Sequence, residues 1–393
     1  MTSGPPDRPP ATPVPGPLTD VRVVELAGIG PAPFAAMLLA DLGADVIRVD
    51  RPGGPGLGID PAYDVTNRNK RSVLVDLKSD DGPGTVLDLA ERADILIEGY
   101  RPGVAERLGV GPETALARNP RLVYGRMTGW GQHGPLAATA GHDLGYIAVT
   151  GALALTGPAD LPPAAPANLL GDYAGGSLYL VTGVLAALHH ARAHGQGQVV
   201  DAAIVDGAAH LTAMIHGMRA AGAWPGRRGT NLLDGGAPFY GVYETADGGH
   251  MAVGALEQRF YDEFASLLGL SAEDAGKRAD PARWPELRAA IAARFTTDTR
   301  DGWTRVFDGT DACVAPVLSL AQAPGHPHLT ARGTFTEHAG IVQPAPAPRF
   351  SATPTALRRP PARPGQHTAE VAGDWDLPAP AGAPTRPETV PRP

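Results

Sequence analysis

Disulfide chemistry is excluded by count. The 393-residue chain has one cysteine, Cys313. Neither an intrachain disulfide framework nor a cysteine-built metal site can form from it. Cys313 lies in the apolar stretch 312–318 and is expected to be a small buried residue. Charge is also sparse, at 19% of residues, and the balance is acidic, with a formal net charge of -8. A general nucleic-acid binder is thereby excluded, and an anionic ligand would need a local basic pocket. Long apolar runs are missing too. The longest, 178–188, is interrupted by Thr182 and Gly183 and ends at His189 and His190, too short for a bilayer. The first 17 residues carry seven prolines and no signal-peptide core. These absences lead to the expectation of a cytoplasmic protein with no membrane and no nucleic-acid partner.

What is abundant is Ala, Gly and Pro, including 50 glycines and 41 prolines. The bias reads as coding background more than as a fold signal. Segments 1–17 and about 353–393 are the richest in it and bury too little apolar surface to offset the entropy of ordering. The first is expected to be a disordered tail. The end of the second is expected to be disordered as well.

Between them the pattern alternates. Short apolar strands are predicted at 21–26, 45–49, 72–77, 94–98, 122–127 and 198–204. Helical spacing, as in Phe34, Met37, Leu38 and Leu42 before Gly43, falls between them. Further helices are predicted over 85–93, 174–193 and 205–221. This order predicts an α/β fold, a parallel sheet with helices on its faces. Near 225 the texture changes. Two runs, 239–244 and 250–254, flank Asp247-Gly248-Gly249, a hairpin signal. Helices follow over 258–268 and 284–295. The predicted layout is a tail over 1–17, a large Rossmann-like domain over 18–224, a smaller α+β domain over 225–330, and a segment over 331–393 that packs back on the large domain.

Several residues carry chemistry. Gly28 and Gly30 join the first strand to the first helix, where backbone N–H groups favour phosphate. Asp50 lies 20 residues past Gly30, where a dinucleotide-binding fold places its ribose acid. Pro33 replaces the third glycine, and Arg51 beside Asp50 suits a phosphorylated ribose. NADP, coenzyme A and a plain structural turn all remain open on this motif. Arg51, Lys78 and Arg101 fall just past strand ends, the ligand edge of an open parallel sheet. A solvated charged rim is the plainer reading of any one of them. His142 sits in Gly141-His142-Asp143, and Asp172 opens the long apolar helix. Alone, Asp172 reads as a helix cap and Glu257 as an N-terminal helix charge. Together, an imidazole and a carboxylate could invert a carbon, one removing a proton and the other returning it. Met214, Met218 and Trp224 could line an apolar chain site, although core packing is the simpler reading.

At longer range the sequence resembles the family III CoA-transferases. The segments that carry the likeness include 21–31, 39–52, 69–78, 96–103, 125–131, 141–143, 195–203, 231–239 and 311–317, and it spans about 21–351. The resemblance implies inversion of the α-carbon of a 2-methylacyl-CoA, with His142 and Asp172 as the acid/base pair and Glu257 pairing with the His. Tyr173 stands at the family's aromatic position and Ala174 at a usual glycine. The likeness also implies an interlocked homodimer with active sites shared between chains. Coenzyme A contacts map onto Ile29, Arg51, Val75, Asp76, Leu77, Lys78, Gly99, Tyr100, Arg101, Arg107, Gly141, Asp143 and Tyr146. Coenzyme A would be part of the substrate, with no separate cofactor and no metal. The implied alternative is CoA transfer between carboxylic acids, with Asp172 as nucleophile.

Overall fold

The computed structural model describes residues 16–54 and 58–377. Of the tail expected over 1–17, residues 1–15 lie outside the described residues, as does the Pro-rich end over 378–393; Gly16 and Pro17 are ordered instead, with Gly16 O accepting from the Thr19 N–H at 3.2 Å. Contacts divide the chain into two units, one of 1–147, 168–210 and 333–393, the other of 148–167 and 211–332.

The first unit is built on six parallel strands: β1 (Arg22–Leu26), β2 (Asp45–Asp50), β3 (Arg71–Leu74), β4 (Ile95–Glu98), β5 (Val123–Thr128) and β6 (Gln198–Ala203). Their order is β3-β2-β1-β4-β5-β6, the doubly wound arrangement. Val23 pairs with Val46 on one side and Ile95 on the other, which fixes the register. Helices pack on both sheet faces, and even the charged side chains of the central strands, Glu25, Arg48, Glu98 and Arg126, are buried. Side chains alternate between two cores. Val23, Ile95 and Ile97 face α1 (Pro31–Asp41) and the long helix; Val24, Ile47 and Leu96 face α2 (Gly82–Arg92). Pro31 at the first helical position pre-sets the α1 backbone.

The long helix departs from expectation at its start. It opens as a π-helical segment, Leu169–Ser177, and continues as an α-helix, Leu178–His194. Asp172 therefore lies in the first turn of the segment, a first-turn acid and not the cap of an α-helix at 174. The joined element of 26 residues is long and apolar enough to cross a bilayer by length and composition alone, although the apolar run within it, 178–188, is shorter. Here it lies along the sheet, with Leu180, Val184 and Ala191 in the core and His189, His190 and His194 exposed. The helix expected over 205–221 is two, Ile204–Leu211 and Ala213–Ala220.

The C-terminal segment is firmly placed up to Leu377. The backbone N–H of His367 donates to Ser72 O, and that of Ser72 donates to His367 Nδ1 at 3.1 Å, extending the β3 edge. A helix over Thr368–Asp374 follows, and Trp375 is 1% exposed in the core beside α2.

The second unit holds a three-stranded antiparallel sheet, β7 (Tyr240–Glu244), β8 (His250–Gly254) and β9 (Val314–Pro316), packed with helices over Gln258–Leu268, Trp284–Phe295 and Arg300–Phe307. Residues 148–167 and 211–224 belong to it, whereas the sequence boundary fell at 225. Arg227 and Arg228 explain part of this: they bond Asp160 and the carbonyls of Pro158 and Leu161. Trp224 is buried, but Met214 is 60% exposed and is no core residue. Cys313 is exposed rather than buried. It adopts φ 55°, a turn conformation that interrupts its apolar neighbours.

Candidate active site

Strand order reverses direction between β1 and β4, and ligand crevices form at such points. A cleft of about 490 Å³ opens there. Its walls come from 29–32 after β1, 99–102 after β4, 127–130 at the end of β5, and 139–142. His142 and Asp172 both line it, as do Ile29, Gly99, Tyr100, Arg101, Gly141 and Tyr146. His142 is exposed and Asp172 half-buried.

Each wall is shaped by a glycine. A Cβ on Gly30, which holds φ 76°, would come within 3.3 Å of Asp172 Oδ2, so the carboxylate rests on the loop after β1. The Tyr146 ring occupies the space a side chain on Gly129 would fill, and a Cβ on Gly141 would sit 2.6 Å from it. Trp130 meets Tyr146 edge to face, with ring centroids 4.8 Å apart.

The electrostatics centre on Asp172. Burial pushes its carboxyl above the usual carboxylate range. A bond from Asn168 Nδ2 at 3.4 Å opposes the rise, the Asp143 charge adds to it, and His142 opposes it. The backbone N–H of Asp172 donates to Asp143 Oδ1 at 2.7 Å. Burial and the Asp172 charge together push the Tyr146 phenol up.

Below the loop over 99–102 lies a buried carboxylate, Glu98. It accepts from the Tyr100 backbone N–H at 2.6 Å and from Arg126 Nε at 2.9 Å. Arg126 also donates to Glu106 at 2.8 Å. Burial pushes Glu98 up to about 7.

Other sequence candidates are placed elsewhere. Arg51 lines an adjoining hollow of about 200 Å³ that shares Ile29, Gly30 and Asn168 with the cleft. In it Asp50 Oδ2 already accepts from Arg48 Nε and Ser72 Oγ, which does not suit a ribose-binding acid. Val75 and Asp76 line a different hollow, at the β3 edge. Leu77, Lys78 and Arg107 line neither the cleft nor the adjoining hollow. For Leu77 and Lys78 the reason is local: β3 ends at Leu74, and the chain turns as the Lys78 N–H bonds Asp76 Oδ1 at 2.9 Å. Glu257 belongs to the second unit, exposed at the N-cap position of the helix Gln258–Leu268. Asn168 had no sequence signal; it falls in a Pro/Ala-rich stretch. Trp130 lies in 125–131, one of the segments that carry the family resemblance, and has no further signal in the sequence.

An imidazole, a half-buried carboxylate and an arginine thus line one crevice of the doubly wound sheet of this α/β protein. The CoA-transferase family III profile matches residues 18–368, and the chain belongs to that family. The alpha-methylacyl-CoA racemase of Mus musculus is 43% identical over 361 residues, 91% of this chain and 93% of that protein. The protein of the same name from Homo sapiens is 43% identical, over 90% of this chain and 92% of that one. A CAIB/BAIF family protein from Brucella suis has a similar structure, with a TM-score of 0.80 at 28% identity, covering 92% of this chain and all of that one.

Proposed function

We propose that this protein is an α-methylacyl-CoA racemase that inverts the α-carbon of 2-methylacyl-CoA thioesters. The observation that carries the reading is the shared cleft: His142 and Asp172 open onto one cavity. The thioester acidifies the α-hydrogen. One of the two residues removes it, backbone N–H groups near Asp143 hold the enolate oxygen, and the other residue returns a proton to the opposite face. Each group contributes about 10²–10⁴-fold. A carboxyl whose affinity for protons is raised by burial suits both halves of that exchange. The reaction needs neither metal nor redox cofactor, because the only bonds made and broken at carbon are to hydrogen.

In this reading Arg101 and Arg51 meet the phosphates of coenzyme A, with Ile29, Gly99, Tyr100, Gly141 and Tyr146 along its pantetheine arm. Glu257 of a second copy pairs with His142 in a homodimer. The enzyme is cytoplasmic. Transfer of coenzyme A between acids is the rival, since the family carries that name. It would use Asp172 as nucleophile but gives His142 no task.

The test is α-proton exchange of a 2-methylacyl-CoA in deuterated water, followed by NMR. Wild-type protein should exchange and racemise. His142→Ala and Asp172→Ala should each lose nearly all exchange in at least one substrate configuration. Full racemisation by both variants, or CoA exchange with a free acid in place of α-exchange, would overturn the reading.

A further inference from the structure

The Asp172 segment has an unusual cap. A helix leaves its first backbone N–H groups without intrahelical partners, and a side chain just before the helix normally accepts from one of them. Asn168, at the N-cap of Leu169–Ser177, makes no such bond; its Nδ2 donates to the Asp172 carboxylate instead. The acceptor for the Asp172 N–H is Asp143 Oδ1, 29 residues upstream and directly after His142. Asp143 is 7% exposed, and its other oxygen, Oδ2, is buried without a side-chain or backbone partner among the described residues. Gly171 makes the approach possible: a Cβ there would fall well inside contact distance of Asp143 Oδ1.

We infer that the Asp143 side chain is a positioning residue, a strap that caps the helix carrying Asp172 and so fixes the two proton-transfer groups relative to each other. This rests on the reading of His142 and Asp172 as that pair. His142 and Asp143 are adjacent in the chain, and the carbonyl of His142 starts the helix Asp143–Val149 by accepting from Gly145 N at 2.8 Å. One carboxylate thus ties the backbone of the imidazole to the backbone of the second group. The strap also places a negative charge beside Asp172, which favours the protonated form of that carboxyl.

Three variants separate these roles. Asp143→Ala removes acceptor and charge. Gly171→Ala leaves the carboxylate but blocks its approach. Asp143→Asn keeps an oxygen acceptor and removes the charge. Steady-state racemisation and deuterium exchange are measured from pH 5 to 9, with His142→Ala and Asp172→Ala alongside. A displacement of about 1 Å between reacting groups can cost about 10²-fold in rate. Asp143→Ala and Gly171→Ala should therefore both lower kcat by about tenfold to 10²-fold, with KM changed far less. Asp143→Asn should lose less kcat than Asp143→Ala. Its acid limb should move to lower pH in the direction where Asp172 acts as base, because a neighbouring negative charge has gone. A structural defect alone would not move that limb. If Asp143→Ala and Gly171→Ala fold with wild-type kcat, or if Asp143→Asn keeps the wild-type pH profile, the strap is refuted. Should the first two fail to fold, the Asp143→Asn profile decides. Retained racemisation in His142→Ala and Asp172→Ala would instead sink the functional reading.

Discussion

Replacing Lys70 by Met should destabilise the sheet unit severely, and replacing Glu25 at the same time should undo most of that loss. Lys70 is 1% exposed and Glu25 is fully buried on β1. The ammonium donates to Glu25 Oε2 at 2.6 Å, to Pro33 O at 2.9 Å and to Asn67 Oδ1 at 3.2 Å. Glu25 Oε1 has no side-chain or backbone partner among the described residues. Burial pushes the Glu25 carboxyl up and the Lys70 ammonium down, so the pair is held by mutual attraction against desolvation. Removing one member leaves the other buried and uncompensated, at a cost of about 3–5 kcal/mol. A paired Lys70→Met, Glu25→Leu variant has no buried charge left and should fall within about 1–2 kcal/mol of wild type. The assay is urea unfolding combined with amide exchange of β1 and β2, which isolates the unit that carries the pair. Lys70→Met costing less than about 1 kcal/mol, or a double variant costing the sum of the singles, would refute the reasoning. A functional consequence comes with it, because Pro33 O belongs to the first turn of α1, directly after the loop on which Asp172 rests.

Glu98 gives a pH signature. Its folded pKa of about 7 lies above the ordinary carboxyl value, so the folded state binds the extra proton. The stability it contributes is fully present below about pH 4.5 and lost as pH rises to about 7, at no more than about 1.4 kcal/mol per unit. Glu98→Gln should flatten that slope in urea titrations, and an unchanged slope would exclude Glu98 as its source. Gly129→Ala drives a methyl into the Tyr146 ring and should weaken CoA-thioester binding by calorimetry about tenfold; wild-type affinity would show that Tyr146 does not shape the cleft. Trp375→Ala empties a site 1% exposed and breaks the Nε1 bond to Asp45 at 2.9 Å. It should cost about 3–5 kcal/mol, read as a lowered melting temperature, and an unchanged melt would mean the C-terminal helix is not part of the core.

The sheet was legible because its strands are short clusters of apolar residues, such as Val23-Val24 and Ile95-Leu96-Ile97, and several of the turns after them carry glycine. The strands over 45–49 and 122–127 were placed within a residue of β2 and β5. The end of β3 was not. Val75 and Leu77 continue the alternation in sequence, but the Asp76 turn stops the pairing at Leu74. The C-terminal helix was hidden by composition. Its two core residues, Val371 and Trp375, are spaced one turn apart, yet they stand in a Pro/Ala/Gly-rich background with no further apolar stripe. His142, Asp172 and the loops around them were visible as motifs. The bond between Asp143 and the Asp172 backbone was not, because a cap supplied from 29 residues away leaves no local pattern.

The glycine excess, read from sequence as background, has a definite use in the Asp172 segment. Gly171 admits the Asp143 carboxylate. A Cβ on Gly175 would stand 2.8 Å from the backbone nitrogen of Ala208, so the helix Ile204–Leu211 packs directly on its backbone. A Cβ on Gly176 would press at 3.1 Å on Ile204 and at 3.3 Å on Pro31 at the start of α1. A carboxylate, a helix backbone and the first residues of two helices thus leave no room for side chains at positions 171, 175 and 176. Glycine in a helix costs roughly 1 kcal/mol against alanine, and a π-helical turn has few intrinsic advantages. Such a segment holds its shape only because its neighbours enclose it. The backbone that carries the Asp172 carboxylate is therefore held in place by tertiary contacts, and substitutions at Gly175 or Gly176 should disturb it without touching either proton-transfer group.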